Sequence, residues 1–238
     1  MPPLFEELDY RKTAMGELIL RRRQIISLDG QTVYEVKLGD EYLMSSLFHA
    51  SEVALAEIGL EKIGGSGWDI VVGGLGLGYT AAAALKFEQV RRMIVIEALA
   101  PVIDWHRQGL IPNADFLNND PRCIYYEADF FALARGPGFD PDTSGHQFDA
   151  ILLDIDHTPD YLLNTSHGDL YTASGMARLK SFLKPGGLFA LWSNDPPADA
   201  FLGILAGVFD RTEGHTIEFE NPIQATKSEN GIYLAWSA

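Results

Sequence analysis

From Trp68 onward, short apolar runs alternate with helix-like stretches, and this alternation restricts the fold more than any other feature of the chain. The runs Asp69–Val72, Met93–Glu97, Cys123–Tyr126, Ala150–Leu153 and Leu188–Trp192 are continuously apolar rather than apolar at every second residue. Strands covered on both faces look like this. Helix candidates fall between them at Tyr79–Phe87, Pro101–Gln108, Phe130–Arg135 and Thr172–Leu183. The pattern predicts an α/β fold with a doubly wound, mostly parallel sheet. A helix at Asp199–Phe209 is followed by two more strand candidates, His215–Glu220 and Gly231–Trp236, with no helix between them. They read as an antiparallel hairpin at one sheet edge, which brings the expected sheet to seven strands. Residues 136–145, rich in Gly, Pro and Asp, read as an exposed loop.

The first third of the chain has another character. Glu17–Leu28, Thr32–Leu38 and Glu41–Met44 read as short strands separated by the turn signals Asp29-Gly30 and Gly39-Asp40. They predict a small N-terminal antiparallel β-unit. Arg21-Arg22-Arg23, the only basic run, reads as a solvated edge strand. A helix over His49–Ile58 and the breaker Gly64-Gly65-Ser66-Gly67 close this part. The expected division is residues 1–62 for the β-unit with its helix and residues 63–238 for the α/β unit.

Composition removes several classes. With 238 residues, 47% hydrophobic and 21% charged, the chain is neither disordered nor fibrous. Eighteen Lys and Arg stand against 33 Asp and Glu, a formal net charge of −15. Such a field repels phosphate backbones, so nucleic acid is not an expected partner. Cys123 is the one cysteine: it has no disulfide partner and no zinc ligand set around it, and it reads as a small buried hydrophobe. No metal is expected. No apolar run reaches about 18 residues and the start is acidic, so neither a membrane span nor a signal segment is expected. The expectation is a soluble cytoplasmic protein.

The chemistry-bearing motifs lie at the carboxyl ends of the predicted strands, where open α/β sheets bind nucleotide-type ligands. After the first strand comes Gly73-Gly74-Leu75-Gly76-Leu77-Gly78, a Gly-x-Gly-x-Gly turn leading into a helix. Glycines let the backbone approach a ligand, and the helix start offers free N–H groups. Tyr79 stands where a dinucleotide fingerprint needs its third glycine, which favours an adenosyl-sulfonium ligand over NAD or FAD. Glu97 ends the second strand about 20 residues further on, placed to accept both ribose hydroxyls. Asp129 follows the third strand and can reach an adenine amine, cap the next helix, or do both. After the fourth strand, Asp154, Asp156 and His157 form the densest polar cluster; two carboxylates and an imidazole there can deprotonate or position an amine. Asn194-Asp195-Pro196-Pro197 is similar to the loop of amino-group DNA methyltransferases, but it follows the fifth strand and continues with Ala198, so it reads as a plain helix start.

In this order and spacing the residues resemble the spermidine synthases (polyamine aminopropyltransferases) within the class I S-adenosylmethionine-dependent methyltransferase fold, a Rossmann-like architecture. The resemblance runs from about Gly16 to the C-terminus and includes the helix carrying Glu52, Glu97 for ribose, Asp129 for adenine, Leu170-Tyr171 and Leu183-Lys184-Pro185-Gly186-Gly187. It aligns Asp154 with the first aspartate of the family's Asp-Ser-x-Asp-Pro motif, the base. There are departures: Gly76 and Ala82 replace acidic residues, His157 falls near the second aspartate, and Ala50-Ser51 replaces a Tyr-Gln pair. What the resemblance implies is a homodimer that binds S-adenosylmethionine, its decarboxylated form or methylthioadenosine at Gly74, Gly76, Gly78, Glu97 and Asp129. Its other substrate would be a small molecule such as an amine. Two rival readings stay open: a small-molecule methyltransferase using the same pocket, and a non-catalytic dimeric binding protein that kept the fold.

Overall fold

The structure, a computed structural model, describes residues 3–238. It opens with a four-stranded antiparallel sheet of β1 (Phe5–Thr13), β2 (Gly16–Ile25), β3 (Gln31–Leu38) and β4 (Glu41–Ser45), in the order β1-β2-β3-β4. Three of these strands answer to the sequence expectation; β1 does not, because it is charged at most positions. Its partner β2 is therefore an interior strand, which corrects the reading of Arg21-Arg22-Arg23 as a solvated edge. Arg21 and Arg23 both bind the buried Glu35 of β3, at 2.7 and 2.8 Å, and Arg22 pairs with Glu6 of β1. Residues 26–28 form a 3₁₀ turn rather than the end of a strand.

Helix α1 (Ala50–Leu60) leads to the second sheet. That sheet uses β5 (Trp68–Gly73), β6 (Val90–Glu97), β7 (Cys123–Glu127), β8 (Phe148–Leu153), β9 (Leu183–Ser193), β10 (Arg211–Asn221) and β11 (Thr226–Trp236), in the order β10-β11-β9-β8-β5-β6-β7. The strands from β9 to β7 are parallel, and β11 and β10 add antiparallel at the edge, as the sequence predicts. The helices are α2 (Tyr79–Leu85), α3 (Ala100–Arg107), α4 (Ala114–Asn119), α5 (Phe130–Arg135), α6 (Ala173–Lys180) and α7 (Asp199–Ala206). Among the described residues no helix is long and apolar enough to cross a membrane.

Side chains of one strand alternate between faces, and here the two faces feed two separate apolar clusters. Ile70 and Val72 of β5 join residues of α1, α2 and α3, whereas Val71 joins residues of α5, α6 and α7. Both faces being covered is the physical reason for the unbroken apolar strands. Leu18, Leu20 and Val36 of the N-terminal sheet belong to the first cluster, so the small sheet packs against the α1–α2 side of the large one. Residues 136–145 do not form the fully exposed loop that was expected. Phe139 is wholly buried, stacked on Phe130 at 4.6 Å, and Asp140 binds Arg92 at 2.6 Å. Burying one such ring contributes about 1.5–3 kcal/mol, enough to override the turn-like composition. Cys123 lies half-buried on edge strand β7, and burial raises its thiol pKa to about 12, which leaves it inert.

Candidate functional site

The carboxyl ends of β5, β6, β7 and β8 meet at a cavity of about 280 Å³, lined by Gly74, Gly76, Glu97, Asp129 and Asp154 among others. A second space of about 100 Å³ adjoins it and shares Gly74, Gly76, Asp154, Leu43 and Met44 with it. Glu52, Gly78, Tyr79, His157 and Trp192 are among the residues that line the smaller space and not the larger. Among the described residues no Lys or Arg lines either space. The β4 residues Leu43 and Met44, with Met15, roof the larger cavity, so the N-terminal sheet closes a cleft that the large sheet opens.

The glycine loop is shaped by contacts as well as by conformation. Gly74 has φ +92°, and a Cβ there would lie 2.1 Å from the Asp154 carbonyl oxygen. Only glycine lets the β5 and β8 ends approach this closely. Gly76 has φ +49°, and a Cβ would meet Met44 Sδ at 3.2 Å. The acidic residue implied at this place by the resemblance has its space taken by Met44, and Ala82 is buried in α2 within the apolar cluster. Behind the loop the buried His106 donates from Nε2 to the Gly76 carbonyl at 3.0 Å, and Asn113 donates to Leu77 O at 3.1 Å. Burial lowers the His106 pKa to about 4, against the Gly76 hydrogen bond, which raises it.

Glu97 ends β6, and its two oxygens accept N–H groups from Leu75 (3.1 Å) and Leu99 (2.8 Å). Burial raises its pKa, opposed by the N–H groups of Leu99, Leu75, Gly76 and Ala98. The carboxylate is thereby aimed, and each oxygen keeps a lone pair for the cavity. Asp129 caps α5: Oδ1 accepts from Phe131 N at 2.8 Å and Ala132 N at 3.2 Å. It also lines the cavity, so one carboxylate both caps the helix and faces the cleft.

The three residues of the Asp154 cluster separate. Asp154 lines both spaces, and its Oδ2 accepts from Thr80 Oγ1 at 2.7 Å. His157 lines the smaller space and stacks on Tyr161. Asp156 lines neither. It is 1% exposed and fully engaged by Leu163 N–H, Tyr171 O–H and His167 Nδ1, each at 2.8 Å. Consecutive residues leaving a strand point to opposite sides, so Asp154 and Asp156 share a side only while the chain stays extended. β8 ends at Leu153, and the turn after it sends Asp156 into the α5–α6 side.

Glu52, on α1, faces Asp154 instead. Its Oε2 is buried without a hydrogen-bond partner. Burial first, and the Asp154 charge second, raise the Glu52 pKa; burial raises that of Asp154 against the Thr80 hydrogen bond. The sequence does carry a signal for Glu52. It falls on the stripe that Leu55, Ala56 and Gly59 bury, where a lone carboxylate is out of place without a partner. Ser51 has a structural place, accepting from Trp192 Nε1 and donating to Asn230 Oδ1. Among the described residues no group of three or more His, Cys, Asp or Glu is arranged to hold a metal ion.

No protein-family model and no curated protein matches the chain. Solved structures do. A spermidine synthase in complex with the transition-state analogue AdoDATO is similar over 98% of this chain and 74% of its own, at TM-score 0.74 and 17% identity. The spermidine synthase from Thermotoga maritima is similar over 98% and 73%, at TM-score 0.73 and 17% identity. A probable spermidine synthase from Corynebacterium glutamicum ATCC 13032 is similar over 98% and 80%, at TM-score 0.65 and 15% identity. In architecture, then, the chain shares the methyltransferase-like α/β fold of these structures.

Proposed function

We propose that this protein is a transferase that binds an adenosyl-sulfonium nucleoside and passes a carbon group from its sulfur to an amine. The observation that carries this reading is the cleft's charge. Carboxylates stand at both ends, Glu97 in one space and Glu52 with Asp154 at the other, and no Lys or Arg lines either space. A phosphate or a free carboxylate would enter without a counter-charge; a cation would find two. The decarboxylated form of S-adenosylmethionine is the better donor on this ground, and methylthioadenosine is its product. A structurally similar spermidine synthase binding AdoDATO, an adenosyl-based molecule, supports the same ligand class.

Glu97 would accept the ribose hydroxyls and Asp129 the adenine amine, with Gly74, Gly76 and Gly78 allowing close approach. The acceptor nitrogen then attacks the carbon next to the sulfonium. The new C–N bond forms as the C–S bond breaks, the electron pair goes to sulfur, and a neutral thioether leaves. Asp154 takes the proton that the nitrogen must lose. Glu52 holds the ammonium before attack and lies beside Asp154, so one proton shared between them leaves one charge to hold the amine. His157 lines the acceptor space. Most of the acceleration would come from alignment of nitrogen and carbon in a closed cleft. The N-terminal sheet, too small to bury much core alone, is the surface for a homodimer.

The test is product formation: incubation with decarboxylated S-adenosylmethionine and a panel of amines, putrescine included, should release methylthioadenosine. With Gly76 and Ala82 in place of acidic residues, putrescine should be a weak acceptor. Methyl transfer from S-adenosylmethionine, with no methylthioadenosine from any amine, would replace this reading by the methyltransferase one.

A further inference from the structure

Asp156, which the reaction does not use, raises the question of what its three converging donors accomplish. One of them is His167, in the 3₁₀ turn Thr165–Asp169. Leu163 N–H and Tyr171 O–H donate to the two Asp156 oxygens, and His167 Nδ1 lies 2.8 Å from Oδ1 and 3.1 Å from Oδ2. Facing a carboxylate, Nδ1 carries a hydrogen, and in the neutral ring Nε2 then keeps its lone pair. The ring is fixed in a second direction as well: it stacks on Phe131, centroids 3.6 Å apart and planes 9° from parallel. His167 is 8% exposed and still lines the larger cavity, and its Nε2 makes no hydrogen bond among the described residues. A buried imidazole clamped at one nitrogen and on one face, with its other nitrogen unspent, is built to meet a ligand atom.

The part of the ligand it meets follows from the topology, and rests on the nucleoside reading above. Glu97 takes the ribose, and the reacting end points to the space bounded by Glu52 and His157 on the α1–α2 side. His167 and Phe131 belong to the opposite side, with α5 and α6. The base is what remains to reach that wall, where the rings of Phe130 and Phe131 are flanked by the polar edge of Asp129, Asn164, Ser166 and His167. We infer that His167, positioned by Asp156, is a specificity-determining residue that accepts a hydrogen bond at Nε2 from the 6-amino group of the base and so selects adenine over 6-oxopurines. A 6-oxo group offers only acceptor lone pairs toward that nitrogen, and an unmet or opposed pair inside a site costs far more than a missing contact at a surface.

The experiment is calorimetric titration with methylthioadenosine and methylthioinosine. The unaltered protein should prefer the adenine nucleoside by at least about tenfold. His167→Phe keeps the stack on Phe131 and removes one of the two acceptors, Asp129 remaining; its preference should fall by at least about threefold while methylthioadenosine still binds. His167→Gln offers a rotatable amide that serves either group, and its preference should fall likewise; this covers the case in which the Phe variant does not fold. A preference undiminished in both variants overturns the inference alone. An unaltered protein that binds neither nucleoside overturns the nucleoside reading and this inference with it.

Discussion

At one end of the cleft, Glu97 is held by backbone N–H groups on both oxygens, and Asp129 by two more. At the far end, Glu52 and Asp154 face each other with one threonine hydroxyl between the pair and the rest of the protein, and Glu52 Oε2 has no partner. The first end is finished before any ligand arrives. It is preorganised, and its carboxylates are oriented by the same chain segments that form the turns. The second end is costly as it stands, because two buried carboxylates disfavour each other's charge. Stability is given up where an ammonium would restore the balance, and on the function proposed above this difference separates a binding subsite from a reacting one.

The largest effect should come from breaking the reacting end. Asp154→Asn keeps the size and removes the base, so turnover on the identified acceptor should fall by roughly 10²–10⁴, with methylthioadenosine affinity nearly intact. In the unaltered protein, kcat/KM should rise with pH through an apparent midpoint above about 4, the ordinary carboxylate value, because burial raises Asp154. Steady-state kinetics across pH would check both. An Asp154→Asn protein with unchanged rate would leave Asp154 as a strand-end carboxylate only.

At the finished end, Glu97→Ala should weaken methylthioadenosine binding by about 1.5–3 kcal/mol, the range for hydrogen bonds to a charged group. Glu52→Gln sharpens the contrast in the opposite direction, by raising stability. The folded Glu52 pKa lies above the unfolded one, so its contribution is full in acid and lost as pH rises toward the folded value. The Gln variant should therefore melt higher than the unaltered protein, with the gap opening from about pH 4 upward. Each kcal/mol gained should appear as about 2–4 °C in Tm. A finished-end carboxylate should behave the other way: Asp129→Ala should cost about 1 kcal/mol of stability through the lost α5 cap, read in a denaturant titration.

The parts of the molecule that the sequence revealed are those in which burial writes a local pattern. β5, β6 and β8 are covered on both faces and must be apolar throughout, and Glu97 and Asp129 end or follow strands of that kind. Strand β1 left no such mark, because ion pairs such as Arg22–Glu6 and its register on β2 hold it, and neither repeats along the chain. Phe139 was hidden by the glycines and prolines around it. The site shows the same division. Asp154 could be placed from its strand alone, but Glu52 becomes its partner only when α1 packs against α2 and β8, and His167 becomes a wall of the cavity only through Asp156 and Phe131.

The central claim is that the cleft is made for a cationic nucleoside without a free carboxylate. Calorimetry with decarboxylated S-adenosylmethionine and with S-adenosylmethionine tests it most directly, since the two differ by that carboxylate alone. With no Lys or Arg along either space to receive it, the decarboxylated form should bind at least about tenfold more tightly, the ratio corresponding to about 1.4 kcal/mol. Equal or tighter binding of S-adenosylmethionine would contradict the account.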